Sequence, residues 1–257
     1  MEAFVTSEVK KNIAEITFGT PKSNALPGVI LEKLAKTILV EAEKKEVKAI
    51  LLKSAGERAF CAGASFDELL AIEDLEASKR FFGGFAKVLD AMRKCGKIVV
   101  ARVQGKITGG GVGIACGADY CFATEDAGLA LTEINLGIGP FVIGPYVERK
   151  VGKSQFAAMA IDAEFRSAEW AYRNNIYHSV SKNIEEMDIC ISDFMERLSS
   201  RSDEALALIK KVSWEGTVHF EELMPERIYM SASLVLEESA KKSIEAVKIK
   251  LGSKRKD

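Results

Sequence analysis

The stretch "TGGGVGIACGADY", Thr108 to Tyr120, sets three glycines in a row and two more within the next six residues. A backbone stripped of side chains either packs unusually close to a neighbouring element or lets its N–H groups reach a ligand. Gly109, Gly110 and Gly111 do not complete a dinucleotide fingerprint, because position 114 is Ile, and no Gly-Lys-Ser/Thr follows. A nucleotide-phosphate loop is therefore disfavoured. Taken alone, the glycines fit a helix packed tightly on a strand equally well.

A second small-residue loop lies upstream, "AFCAGAS" from Ala59 to Ser65, again leaving a strand-like segment for a helix. Ser65 and Glu68 have the capping-box spacing, which predicts a helix opening at Ser65 and leading into a longer one through "KRFFGGFAKVLDAMRKC". Helix N-termini present unpaired N–H groups, so two such loops can aim two donors at one oxygen.

Around these loops, "AFVTSEV", "IAEITFG", "KAILLKS" and "KIVVARVQG" read as strands, and "GVILEKLAKTILVEAEKK" as a helix. The strand, helix, strand order predicts a parallel crossover. From Lys153 onward the apolar spacing is almost wholly helical. An α/β core over residues 1–195 and a helical region over 196–257 follow, with no low-complexity linker or internal repeat.

A chain of 257 residues, 47% of them hydrophobic, can bury one substantial core. Its 36 basic and 37 acidic residues nearly cancel, so neither nucleic acid nor a membrane surface is favoured as a partner. The short basic tail "GSKRKD" reads as a frayed end. No apolar run reaches the ~18 residues of a spanning helix, and "MEAFVTSEVKK" lacks the layout of a secretion signal, which predicts a cytoplasmic protein. Five cysteines without a C-x-x-C pair, and two distant histidines, argue against zinc and against a histidine triad. His178 and His219 read as structural or surface residues.

In order and spacing, "AFCAGAS", "VQGKITGGGVGIACGADY", "TEINLGIGP" and "RKVGKS" resemble the crotonase superfamily, the enoyl-CoA hydratase/isomerase family, over nearly the whole chain. The resemblance implies a repeated β-β-α spiral core, a helical C-terminal region used in trimer packing, and an acyl-CoA thioester substrate with no cofactor beyond its own coenzyme A. It assigns the main-chain N–H groups of Ala62 and Gly110 to an oxyanion hole, with Glu133 as the acid/base. Ala64 and Ser65 in the first loop, Lys22 and Ala25 in "PKSNAL", and Phe141 are the implied substrate contacts. A homotrimer or a dimer of trimers is the implied assembly.

Two departures narrow the expectation. Gly113 stands where the best-known hydratases carry a second glutamate, and "GPFVIGPYVERK" replaces their glycine-rich segment, bringing Phe141, Val142 and Ile143 near the expected acyl site. Both resemble a single-glutamate branch that includes bacterial methylglutaconyl-CoA hydratases and the dehydratase-like crotonases of polyketide assembly. The leading expectation is a lyase adding or removing water at an α,β-unsaturated acyl-CoA. Double-bond isomerisation, decarboxylation and a catalytically silent scaffold are the alternatives. Ser65 replaces a frequent aspartate but serves equally as a helix cap.

Overall fold

The structure, a computed structural model, describes residues 2–253. Strands β1 (Phe4–Lys10) and β2 (Ile13–Gly19) form an antiparallel hairpin closed by Lys11 and Asn12, both left-handed at φ 46° and 66°. Beside β2, strands β3 (Ala49–Ser54), β5 (Ile98–Val103), β7 (Tyr120–Thr124) and β9 (Ser179–Ser181) continue the sheet in parallel. The predicted crossover is present: β2 and β3 are joined through helix α1 (Gly28–Glu43).

Sheet faces follow the alternation of side chains along each strand. Ile16, Phe18, Ile50, Leu52 and Val99 point into the main core beneath α1 and α3 (Leu75–Lys94). Ile13, Leu51, Ile98, Val100 and Phe122 point the other way, where Met187, Ile191 and Met195 of α7 (Ile184–Ser199) cover them. Strands buried on both faces require near-continuous apolar runs, as "AILLKS" and "IVVARV" supply.

A second, smaller sheet was not expected. β4 (Ala59–Cys61), β6 (Lys106–Thr108) and β8 (Leu129–Ala130) pair in parallel in that order. Each repeat of the chain gives one strand to each sheet and then turns into a helix. β3 and β4 lead to α2 (Phe66–Leu70), β5 and β6 to α4 (Gly110–Gly117), and β7 and β8 to α5 (Gly144–Asp162). This is the β-β-α spiral.

Beyond α5 come α6 (Ala168–Arg173), α8 (Asp203–Ser213), α9 (Phe220–Leu234) and α10 (Glu238–Ser253). The helical reading from Lys153 holds except at β9, which joins the sheet edge, and the expected 195/196 division falls inside α7. α8 is anchored by Lys210, whose buried Nζ donates to the carbonyls of Met92 and Lys97 at 2.6 Å and pairs with Asp119 at 2.9 Å. No helix among the described residues is long and apolar enough to cross a membrane. Most of the basic tail, residues 254–257, lies outside the described residues.

Candidate active site

All three strands of the small sheet deliver their next residues to one edge. Ligand sites in parallel α/β architectures form at such carboxyl ends. β4 runs into Ala62–Ser65, β6 into Gly109 and Gly110, and β8 through Leu131 and Thr132 into a 3-10 turn, Glu133–Leu136.

The first two loops touch. A Cβ built on Gly63 would stand 3.1 Å from the Thr108 carbonyl oxygen and 3.5 Å from the Gly110 nitrogen. Gly63 also sits at φ +84°, so glycine is required there twice over. Gly110 opens α4, and a Cβ on it would lie 2.3 Å from the Phe85 ring of α3.

Ala62 does not fill the donor role expected of it. Its N–H donates to the Ser23 carbonyl at 3.1 Å, and that engagement removes it from any ligand. In the same loop, Leu26 donates to Gly63 O at 2.8 Å and Ser65 N–H donates to Leu26 O at 3.0 Å. Ala64 N–H and Gly110 N–H find no acceptor among the described residues. The amides of Gly63 and Gly111 likewise have no acceptor among the described residues, so Ala64 and Gly110 are two of four open amides in the adjoining loops.

Glu133 faces them. A Cβ on Gly109 would lie 3.1 Å from Glu133 Oε1, so the carboxyl group rests directly over the glycine loop. Gly109 adopts φ +52°, ψ −121°, a conformation reserved for glycine. Glu133 Oε2 is buried without a hydrogen-bond partner among the described residues, although the residue as a whole is only partly covered. Burial pushes the pKa of the carboxyl up to about 7, against a weaker downward pull from the main-chain amides of Glu133 and Thr132. α10 roofs the turn: Gly137, at φ +72°, would place a Cβ 2.8 Å from Ala240 Cα. Ala240 and Ile244 close a small apolar cluster with Ile138 and Leu69 there, which helps keep water out.

The remaining expected contacts divide. Ser65 caps α2, its Oγ accepting from Glu68 N–H at 3.4 Å, but Glu68 does not complete the box and instead accepts from Gly28 N–H at 2.8 Å, capping α1. Lys22 forms an exposed ion pair with Asp67, and Ala25 sits partly covered in the same turn. The Phe141 ring packs against Gly139, where a Cβ would lie 2.4 Å from its Cζ. It lines a cleft of about 540 Å³ with Arg149, Phe156, His219 and Arg227, well separated in lining from the glycine loop. Ile143 is the residue that meets the loop: a Cβ on Gly113 would lie 2.5 Å from its Cγ2. His178 accepts from Cys121 N–H at 3.0 Å through Nδ1, and burial lowers its pKa to about 4, so it joins strands rather than moving protons.

Two open amides from adjoining loops and one buried carboxyl, carried on a β-β-α spiral, define a class of fold already represented among solved structures. The crystal structure of an enoyl-CoA hydratase from Bacillus halodurans superposes with a TM-score of 0.88 over 95% of this chain and 99% of that one, at 19% identity. The chain belongs to the enoyl-CoA hydratase/isomerase family of enzymes, whose model matches residues 8–251. A short-chain-enoyl-CoA hydratase of Clostridium acetobutylicum is 30% identical, covering 82% of this chain and 81% of its own length. A trans-2-decenoyl (acyl-carrier-protein) isomerase of Streptococcus mutans is 25% identical over 81% of each.

Proposed function

We propose that the protein is a hydro-lyase acting on an α,β-unsaturated acyl-CoA through a thioester enolate. The observation carrying this reading is the meeting of the Ala64 and Gly110 amides with the Glu133 carboxyl at one edge of the small sheet. The amides would receive the thioester oxygen, where the enolate's charge develops, and fixed donors in a dry site stabilise that charge without reorganising. Glu133 would move the proton at the acyl chain, its raised pKa suiting it to take and return a proton near neutral pH. No cofactor is needed beyond the coenzyme A of the substrate. With glycine at 113, the reading falls within the single-glutamate branch similar to methylglutaconyl-CoA hydratases, and a cytoplasmic location goes with it.

Gly113 also favours a second reading. Ile143 fills the space where another carboxylate would stand, and double-bond isomerisation needs the enolate and one proton carrier but no activated water. A panel of enoyl-CoA thioesters followed by mass spectrometry and absorbance separates the readings. Gain of the mass of one water supports hydration, unchanged mass with shifted absorbance supports isomerisation, and no turnover of any member rejects both.

The pH dependence of proton removal is expected to follow Glu133. In D2O, exchange of the α-protons of butyryl-CoA should rise with pH and level off above an inflection near 7, because only the ionised carboxyl accepts a proton. An inflection between 4 and 5, the range of an ordinary glutamate, would remove burial from the mechanism.

Leu208, Ile209 and Val212 on α8 are exposed although Lys210 of the same helix is buried. We assign that apolar face to contacts between subunits and expect a trimer or a dimer of trimers. Light scattering at micromolar concentration should give three or six chain masses. A monomer would overturn the assignment.

A further inference from the structure

The open amide of Ala64 belongs to a loop without regular structure, and apart from the Leu69 N–H to Ser65 O bond that opens α2, the main-chain hydrogen bonds holding that loop run to one short segment. Ala62 N–H goes to Ser23 O, Leu26 N–H to Gly63 O, and Ser65 N–H to Leu26 O. The position of the Ala64 N–H is therefore inherited from residues 23–26. Ser23 and Asn24 are both left-handed, at φ 53° and 56°, a conformation that asparagine tolerates better than most residues.

Asn24 is what pins this turn. It is 4% exposed, and its carboxamide is fully used. Oδ1 accepts from Thr20 N–H at 3.1 Å, while Nδ2 donates to the carbonyls of Ala55 at 2.8 Å and Ala59 at 2.9 Å. Those two carbonyls flank the entry to β4, the strand that leads into Ala62–Ser65. One side chain thus ties the turn to the strand at one end, and the turn grips the loop at the other. A carboxamide accepting from one amide and donating to two carbonyls has no equal in aspartate, which lacks the donors, or in an aliphatic residue, which lacks both.

We infer that Asn24 is a positioning residue for the carbonyl-binding amide of Ala64, acting through the 23–26 turn without touching substrate. The inference rests on the proposed role of Ala64 N–H as a donor to the thioester oxygen. Losing Asn24 releases the turn, and displacements of about 1 Å at such a donor cost on the order of 10²-fold in rate.

The test compares Asn24→Gly, which keeps the left-handed backbone and deletes the side chain, with Asn24→Ser, which retains a short polar group. Asp67→Asn, at an exposed pair beside the same turn, is the control. The readouts are the absorbance red shift of bound 2,4-hexadienoyl-CoA, which reports polarisation of its carbonyl, its dissociation constant, and α-proton exchange of butyryl-CoA. Asn24→Gly should bind the probe within about 5-fold of the unaltered protein, lose most of the red shift, and exchange roughly 10²-fold more slowly. Asn24→Ser should fall between, and it carries the same criteria should the glycine variant not fold. A lowered melting temperature with the red shift and exchange rate intact would mean a structural asparagine only, and would overturn the inference. No red shift in the unaltered protein would instead reject the donor role of Ala64, and the inference with it.

Discussion

Glu133→Gln is expected to slow turnover by ~10²–10⁴-fold while leaving acyl-CoA affinity within a few-fold. Glutamine preserves size and hydrogen-bonding capacity but cannot accept the proton. The open amides at Ala64 and Gly110 are main-chain groups that the substitution leaves alone, so ground-state binding survives while proton transfer does not. Steady-state kinetics with the best substrate of the enoyl-CoA panel gives the comparison. Turnover within a few-fold of the unaltered enzyme would mean that another group carries the proton.

The same substitution has a second signature, in stability. Glu133 has its pKa raised from an ordinary 4.5 to about 7 by burial, so the folded state holds the proton more tightly than the unfolded chain. Between those values the folded state binds more protons, and stability falls as pH rises through that window. Above pH 7 the fold carries a buried ionised carboxyl, at a cost on the order of 3 kcal/mol from a shift of that size. Glu133→Gln removes it. The variant should melt higher than the unaltered protein at pH 8 and at about the same temperature at pH 4. A site that sacrifices stability for a poised proton carrier should show this opposition of activity and stability.

The long elements of the fold were legible because their signals are local. "AILLKS" and "KIVVARVQG" are apolar over a strand's length, and the α3 region carries a helical stripe ending in basic residues. The small sheet was not legible. Strands of two or three residues such as β4, β6 and β8 have no periodicity to read, and they exist only because parallel neighbours distant in the chain pair with them. Yet that sheet sets the site. The engagement of the Ala62 amide was illegible for a related reason: "CAGAS" offers several similar amides, and which one is already bonded depends on a left-handed turn at Ser23, nearly forty residues earlier. Glu133 and Gly110 were placed from the resemblance, and the structure brings both to the same edge. The segment "GPFVIGPYVERK" was read as a replacement that brings Phe141, Val142 and Ile143 near the acyl site; which of them packs on the glycine helix was not legible, and in the structure Ile143 does, while Phe141 lines a cleft with Arg149 and Phe156.

Gly113→Glu, which would supply the carboxylate that the best-known hydratases carry, is expected to destabilise the protein and not to raise hydration. Gly113 is fully enclosed on α4. A Cβ there would stand 2.5 Å from Ile143 Cγ2, 2.8 Å from Ile143 Cβ and 3.6 Å from Leu89 Cδ1, so even alanine must displace the start of α5. Forcing atoms into a packed site costs typically ~1–3 kcal/mol, and a carboxylate among Ile143 and Leu89 without a hydrogen-bond partner adds a penalty of several more. The melting temperature should drop by roughly 10–25 °C, at ~2–4 °C per kcal/mol for a chain of this size. A single Gly113→Glu protein that folds with unchanged stability and hydrates short enoyl-CoA faster would mean that Ile143 yields easily, and that the pocket already has the shape of a two-carboxylate hydratase.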